Sequence, residues 1–461
     1  MGFDRVGFYP AEIMLPAASV APESWACIAC DQFTSEPAYW QEAEALVGDQ
    51  PSALRLILPE CYLAESEKRI PRIHETMAAY LVQGQLECAV KNGFVLCERK
   101  LASGRRLGLI GAVDLEAYSF ERTEKPLIRP TEETIRSRLP ARLAIRRGAP
   151  LEMTHVMILL DDPERTVLEP LEKKKKELRP LYDFELMLGG GHLTGYAVEG
   201  EALLSQVERA LNALLDQKIQ QKAAEEAQPD GKQRENGNPM LLAVGDGNHS
   251  LATAKAYWEE IKATLTETER EHHPARYALC EIVNMHDEAL LFEPIHRLMT
   301  GVSKEELLGA WTAYAAKKGM ELERVFGDGK ENRETENGSV KKENGEEDRE
   351  RGKAHGFTLV SEEGEEFIFI LHPEGQIPCE TLQVFLDDFL GSHPEAGIDY
   401  IHGESALRSL AAAPKTVGFL LPPIDKTTFF RDVNVLGVLP RKTFSMGEAR
   451  EKRYYMEAKR I

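Results

Sequence analysis

The segment 245–250 reads GDGNHS and combines residue types that bind anions or transfer protons. Asp246 can hold a divalent cation or accept a proton, and His249 can contact a phosphate or act as an acid or base. Gly245 and Gly247 allow a ligand to approach the backbone closely. The spacing alone leaves two interpretations open: an anion-binding turn, or the polar, capped start of a helix.

The residues on either side predict the elements that position this turn. The apolar run LLAV (241–244) precedes it, and apolar residues recur at helical spacing from Leu251 to Leu265 after it, which predicts a strand, a turn and a helix. The first N–H groups of a helix lack partners within it and favour an anion. We expect Asn248 or Ser250 to cap the helix. The residues predicted to cradle a phosphate are Gly245, Gly247, Asn248 and Ser250.

Basic residues elsewhere offer further contacts to an anionic ligand. His296 and Arg297 stand side by side after an apolar stretch, and a guanidinium suits phosphate or carboxylate. The segment 128–142 is rich in arginine, and residues 441–461 hold seven Lys or Arg against three Glu, which predicts a locally positive surface. The alternative for each is a structural role in salt bridges. The residues expected to hold a substrate carboxylate or phosphate are Arg136, Arg138, Arg142, Arg441 and Lys442.

Composition narrows the class of protein. The chain has 461 residues, enough for about two or three domains, and 43% of them are hydrophobic, so a globular core is expected. A net charge of −20 argues against nucleic acid and anionic lipid as partners. We find neither a signal peptide nor an apolar run long enough to span a membrane, and we expect the seven cysteines to be reduced in the cytoplasm. Cys27 and Cys30 form one CxxC pair, whose alternatives are a redox or metal site and two small buried residues.

Two polar segments divide the chain into folded parts. Residues 216–239 begin as a helix end and become a polar linker, and residues 327–353 contain a single aliphatic residue, Val340, which predicts a disordered insertion. The folded parts are then an N-terminal α+β part, 1–215, and a C-terminal α+β part that carries the GDGNHS turn, 240–326 with 354–461.

Strand and helix patterns alternate irregularly, which favours an α+β fold with mixed sheets over a regular doubly wound sheet. The predicted strands are 94–99, 107–115, 154–162, a hairpin across 357–372, and 416–423. The predicted helices are 64–82, 164–178, 201–222, 250–265, 303–318 and 379–391.

Six motifs, taken together and in this order, resemble the DUF1015 family of uncharacterised bacterial and archaeal proteins. They are WACIACDQFTSEPAYW, IRPTEETIRSRLPAR, VGDGNHSLATAKAYW, FEPIHRLM, DYIHGE and LPRKTFSMGEAREKRYY. The commoner family form of the turn is Asp-Gly-His-His-Arg. Asp246, Gly247 and His249 match that form, whereas Asn248 and Ser250 depart from it.

The resemblance implies a nucleotide-related function. The family's turn motif is similar to the nucleotide-contacting motif of the ParB and sulfiredoxin-like superfamily, which includes free-serine kinases. It therefore implies a ParB/sulfiredoxin-like core and a cytoplasmic kinase that phosphorylates free serine, or a similar small hydroxy acid, with ATP and Mg²⁺. In that role Asp246 binds Mg²⁺ or takes the hydroxyl proton, Asp31 lines the substrate side, and His249, His296 and Arg297 contact phosphates. The alternative is a nucleotide-binding regulatory protein without turnover.

Overall fold

The computed structural model describes residues 2–121, 123–154, 156–226, 238–325, 335–336, 339–340, 354–440 and 442–461, which form an α+β protein with mixed sheets. The α-helices are α1 Pro22–Trp25, α2 Pro37–Val47, α3 Ser66–Val82, α4 Leu139–Arg146, α5 Glu169–Glu172, α6 Glu201–Glu226, α7 Asn248–Lys262, α8 Glu267–His272, α9 Lys304–Lys317, α10 Pro378–Ser392, α11 Glu404–Ala411 and α12 Lys426–Leu436.

The strands are β1 Phe8–Tyr9, β2 Ala11–Pro16, β3 Cys27–Ile28, β4 Leu86–Leu101, β5 Gly104–Asp114, β6 Ile128–Pro130, β7 Leu151–Met153, β8 Val156–Leu160, β9 Arg179–Glu185, β10 His192–Glu199, β11 Leu242–Asp246, β12 Tyr277–Asn284, β13 Phe292–Thr300, β14 Glu321–Val325, β15 Thr335–Glu336, β16 Ser339–Val340, β17 Ala354–Ser361, β18 Gly364–Leu371, β19 Gly397–His402, β20 Thr416–Leu420, β21 Phe444–Met446, β22 Tyr454–Tyr455 and β23 Ala458–Arg460.

The chain folds into two compact units. Unit 1 contains Met1–Leu291 and Met446–Ile461, and unit 2 contains Phe292–Ser445. The sequence predicted that the GDGNHS turn belongs to the C-terminal part. The prediction is wrong, because the turn belongs to unit 1. Strand β11, which ends in the turn, pairs with β6 and β8 of the N-terminal part, so backbone hydrogen bonds hold it in unit 1.

A twelve-stranded sheet forms the centre of unit 1. Its main path runs β6-β11-β8-β12-β5-β4-β2-β23-β7, with β1 paired to β5, and β10 paired to both β4 and β9. Strand β8 is the apolar run VMILL, and all five of its residues are buried, as expected for a strand covered on both faces. It pairs in parallel with β12 and in antiparallel with β11.

Successive residues of the central strands contribute in turn to two different apolar layers of unit 1. In β4, Val95 and Cys97 pack in one cluster, while Phe94 and Leu96 pack in the other. Successive side chains of a strand point to opposite faces, so the sheet is covered on both sides. One layer contains residues of α2 and α3, and the other contains residues of α6 and α7.

Unit 2 has its own sheet and core. The path is β14-β18-β17-β20-β13-β19, and β21 pairs with β13. Trp311 of α9 stacks on Phe385 of α10 at a centroid distance of 5.0 Å, on one face of the sheet. On the other face Leu407 of α11 packs with Leu298 and Leu420.

Several elements confirm the sequence-based predictions. The β4–β5 hairpin closes at Leu101 and Gly104, and the β17–β18 hairpin closes at Ser361 and Gly364. The predicted helix 164–178 is wrong: that segment forms only the short α5 and a 3-10 turn at Lys175–Glu177. A proline lies in the first turn of α5, and the residues that follow this short helix are lysines.

Each of the two polar segments lies partly outside the described residues. Helix α6 continues to Glu226, so it includes the first part of the predicted linker 216–239, and residues 227–237 are not described. Of the predicted disordered insertion 327–353, the structure describes only β15 and β16, which pair with each other. Among the described residues, no helix has both the length and the apolar character to cross a membrane.

Candidate functional site

The GDGNHS turn joins the end of β11 to the start of α7 in unit 1. Gly247 is the N-cap residue of α7 and has a left-handed backbone with φ of 82°. A Cβ atom at Gly247 would lie 3.1 Å from Cα of Val156, so both the backbone conformation and the space favour glycine. Gly245 is also closely packed, since a Cβ there would lie 2.8 Å from Sδ of Met446.

The start of α7 differs from the expected cap. The sequence predicted Asn248 or Ser250 at the N-cap, but Gly247 takes that position and offers no side-chain oxygen to the first amides of the helix. Helix N-termini attract anions through exposed N–H groups and the helix dipole. The start of α7 therefore has no side-chain cap from its N-cap residue, and anion binding there stays a prediction.

The side chain of Asn248 holds the turn in place through hydrogen bonds to Thr131. Its Oδ1 accepts a hydrogen bond from the backbone N–H of Thr131 at 3.2 Å, and its Nδ2 donates to Oγ1 of Thr131 at 3.4 Å. Thr131 Oγ1 donates in turn to the carbonyl of Val244 at 2.7 Å. The predicted phosphate contact from the Asn248 side chain is thus corrected: the buried amide links α7 to the segment after β6.

His249 faces the same segment. Its Nε2 accepts a hydrogen bond from the backbone N–H of Ile135 at 3.1 Å. A neutral imidazole with an accepting Nε2 carries its proton on Nδ1. Acid–base exchange at Nε2 of His249 would break the bond to Ile135.

Asp246 ends β11 and remains partly accessible, with 21% of its side chain exposed. Its Oδ1 accepts from the backbone N–H of Gly247 at 3.1 Å, and its Oδ2 lies 3.6 Å from Nζ of Lys452. The carboxylate is thus oriented by the turn itself and faces one ammonium group. This places a potential proton acceptor next to the start of α7.

A pocket of about 160 Å³ adjoins the turn within unit 1. Ser250 lines it from the first turn of α7, and Arg142 of α4, Cys30 and Tyr455 also contribute to its wall. Arg142 Nη2 forms an ion pair with Glu60. Tyr455 donates to Sγ of Cys30 at 3.1 Å, and burial, with the nearby Cys30 and Asp31, raises the Tyr455 pKa well above its ordinary value. Most of the remaining wall is apolar.

A buried ion-pair group forms another part of that wall. Arg146 and Glu152 both line the pocket, and Arg146 Nη2 lies 2.6 Å from Oε2 of Glu152. The backbone N–H of Leu279 donates to Glu152 at 2.8 Å. Burial raises the pKa of Glu152, but the charges of Arg146 and Lys459 outweigh this effect and leave the pKa below its ordinary value. The pocket therefore keeps an ionised carboxylate.

The other predicted site residues of unit 1 do not all line this pocket. Asp31 is adjacent to Cys30 in the chain and accepts a hydrogen bond from Nε2 of Gln32 at 3.0 Å. Arg136 is 71% exposed and pairs with Glu121, and Arg138 is exposed. Of the three arginines from 136 to 142, only Arg142 lines the pocket.

Four predicted site residues belong to unit 2. Arg297 is fully buried, and its guanidinium donates to Oε1 of Gln383, to the carbonyls of Ile295 and Lys442, and to Sγ of Cys379. These contacts replace the predicted phosphate contact with a structural role. His296 is buried as well, and its Nδ1 accepts from the backbone N–H of Leu421 at 3.2 Å. Lys442 is exposed, and Arg441 lies outside the described residues.

Only part of the basic C-terminal stretch lies on the surface. Lys442, Arg450 and Arg460 are exposed, whereas Lys452, Arg453 and Lys459 are buried. Arg453 is 3% exposed; its Nε lies 2.9 Å from Glu281, and its Nη2 pairs with Glu457. Lys459 is also buried and lies 3.6 Å from Glu152. Glu281 and Glu152, both distant in sequence, and the nearby Glu457 neutralise these cations inside unit 1, which composition could not reveal.

The donor set around the turn does not form a metal site by itself. Among the described residues, no group of three or more His, Cys, Asp or Glu side chains is arranged to hold a metal ion. Asp246 is one carboxylate beside an ammonium. Mg²⁺ is commonly held by one or two carboxylates together with substrate phosphates, so Asp246 fits as a single ligand to a nucleotide-bound ion.

Comparison with known proteins identifies the family. A family profile described as "Protein of unknown function (DUF1015)" matches residues 12–389, and the chain belongs to this family. No curated protein matches the sequence. The recognition from motifs is thereby confirmed.

Solved structures give only distant likenesses. A free serine kinase in complex with AMP shares 13% identity, covering 75% of this chain and 90% of that one, with a TM-score of 0.35. A conserved hypothetical protein from Pyrococcus furiosus shares 11% identity over 72% and 88% of the chains, with a TM-score of 0.31. SbnI from Staphylococcus aureus with a C-terminal truncation shares 8% over 73% and 81%, with a TM-score of 0.33. Scores this low carry no argument about activity.

Sequence reasoning missed several residues of the candidate site. Lys452, Tyr455, Arg146 and Glu152 were not predicted, although Lys452 belongs to the basic stretch that drew attention. The available signal was the excess of basic residues near the C-terminus. The pairing of β22 with β3, and of β23 with β2 and β7, shows that this stretch enters unit 1.

Proposed function

We propose that this protein is a small-molecule phosphotransferase that uses ATP and Mg²⁺ to phosphorylate free serine or a similar small hydroxy acid. The observation that carries the proposal is the GDGNHS turn, where a strand ends, a glycine caps the following helix, and Asp246 lies at the junction. The family resemblance of the motif supports the nucleotide part of the proposal. Cytoplasmic location is proposed with it.

Each step of the proposed reaction would involve residues of unit 1. The start of α7 would hold a phosphate group, and Asp246 would accept the proton of the substrate hydroxyl. The hydroxyl oxygen would form a bond to the γ-phosphorus while the bond from that phosphorus to the β–γ bridging oxygen breaks, which releases ADP. Mg²⁺, when bound, would neutralise phosphate charge. Arg142, in the adjoining pocket, would hold a substrate carboxylate.

The direct test is ADP release by the purified full-length chain with ATP, Mg²⁺ and a panel of amino and hydroxy acids. We expect D246N to lower kcat by about 100-fold or more, because a positioned base contributes on this scale. Asp161 gives a matched control. It follows β8, its side chain is 18% exposed, and it pairs with Lys218, at the opposite end of the β8–β11 ladder. Equal activity in D246N and the wild type, or no ADP release with any acceptor, would contradict the proposal.

A second candidate is a nucleotide-binding regulatory protein without turnover. The side chain of Asn248 favours it, since this residue stands where the commoner family motif has a histidine and is hydrogen-bonded to Thr131. This candidate predicts thermal stabilisation by nucleotides with no ADP release. The same acceptor panel distinguishes the two functions.

A further inference from the structure

Lys452 is a buried residue whose ammonium lies beside the GDGNHS turn. Backbone contacts fix the position of Lys452 in the fold. It lies between the 3-10 turn Ala449–Glu451 and β22. The guanidinium of Arg99 donates to the carbonyls of Arg450, Glu451 and Lys452, which anchors this part of the chain. Lys452 is 8% exposed as a residue. Its ammonium is therefore brought to the turn by the fold.

The ammonium of Lys452 forms one ion pair among the described residues, with the carboxylate of Asp246. Its nearest opposite charge, Oδ2 of Asp246, lies at 3.6 Å, which exceeds hydrogen-bond distance. Within the part of the chain that the structure describes, the Lys452 ammonium makes no hydrogen bond. An ammonium carries three donors, so the Lys452 ammonium keeps donors for a ligand beside its ion pair with Asp246. A ligand with anionic oxygens would accept hydrogen bonds from them.

The charges at the turn indicate why a cation is needed there. An anion at the start of α7 would be repelled by the adjacent carboxylate of Asp246. Lys452 lies 3.6 Å from that carboxylate and offsets its negative charge. Ser250, on the first turn of α7, offers a hydroxyl but no charge.

We infer that Lys452 is a phosphate-binding residue of this site, which contacts a phosphate monoester or the phosphate chain of a nucleotide held at the start of α7. The inference deepens the proposed function and rests on its anion-binding turn, but it does not require phosphoryl transfer. The ligand class follows from the geometry, because an ammonium and helix N–H groups together suit a compact group with several anionic oxygens.

The test is calorimetric binding of AMP, of adenosine and of pyrophosphate to the full-length chain. We expect K452M to weaken AMP and pyrophosphate binding by about 10- to 100-fold, the range of a lost charge-assisted contact, and to leave adenosine binding unchanged. K452R, which keeps the charge, should retain most of the affinity. If K452M melts early, K452Q keeps a polar head group and serves in its place.

Lys255 provides the matched control. It lies on α7, its side chain is 14% exposed, and it pairs with a single carboxylate, that of Glu259, at 2.7 Å. K255M should bind AMP as the wild type does. If the wild type binds AMP and K452M binds it equally well, the role of Lys452 is refuted while the proposed function stands. If the wild type binds neither AMP nor pyrophosphate, both are refuted.

Discussion

The backbone N–H of Thr131 donates to Oδ1 of Asn248 at 3.2 Å, across 117 residues of sequence. This bond, with the one from Thr131 Oγ1 to the carbonyl of Val244, fastens the segment after β6 to both sides of the turn. The orientation of the turn thus depends on a residue that belongs to another motif of the chain.

Replacing Asn248 by alanine should lower the free energy of unfolding by about 1–3 kcal/mol, because the buried N–H of Thr131 loses its acceptor. Urea unfolding of the variant measures this. Asn92 is exposed on β4, and N92A should change stability by less than about 0.5 kcal/mol. Similar losses in both variants would show that the Asn248 bond contributes little.

Replacing Gly247 by alanine tests the geometry of the turn. Alanine at a left-handed position costs about 1–2 kcal/mol, and at Gly247 the added Cβ also approaches Cα of Val156 to 3.1 Å. Gly84 has φ of 69°, and a Cβ added there would meet nothing within 4 Å, so G84A carries the backbone cost alone. We expect G247A to lose more stability than G84A in urea unfolding. Equal losses would mean that Val156 moves aside without cost.

Variants of Arg142 and Arg136 distinguish ligand binding in the pocket from ligand binding on the neighbouring surface. Arg142 lines the pocket, whereas Arg136 is 71% exposed and pairs with Glu121. If the pocket holds an anionic group of the substrate, R142M should weaken its binding by about 10-fold or more, and R136M should have little effect. Calorimetry with the acceptor that supports turnover measures both. A larger loss in R136M would place the substrate elsewhere.

His296 should make the stability of unit 2 depend on pH. Burial, with the charges of Arg297 and Arg408, lowers the pKa of His296 to about 4. An unfolded histidine has a pKa of about 6.5, so between these values the unfolded state holds a proton that the folded state lacks. Stability is therefore lost as pH falls from about 6.5 toward 4, with a slope of at most about 1.4 kcal/mol per pH unit from this group.

Hydrogen exchange with mass spectrometry on peptides from Phe292–Ser445 measures this dependence between pH 7 and 5, after correction for the intrinsic exchange rate. H296Q should reduce the slope, and H272Q, at an exposed histidine of unit 1, should leave it unchanged. An unaltered slope in H296Q would assign the pH dependence to other groups.

The sequence by itself determined the local elements. Alternating apolar residues and short turns set the β4–β5 and β17–β18 hairpins, and the glycines at 245 and 247 between an apolar run and a helical pattern set the strand–turn–helix unit. These features depend on backbone preferences and periodicity within about ten residues, which a sequence shows directly.

Only the tertiary structure decided which side chains meet at the turn. It paired Asn248 with Thr131, placed Lys452 beside Asp246, and buried Arg297 in a hydrogen-bonded core. It also joined 446–461 to unit 1 and neutralised Arg453 with Glu281. Such contacts arise from strand pairing and packing across hundreds of residues, and the charge or polarity of a residue alone does not reveal whether it will face a ligand or a buried partner.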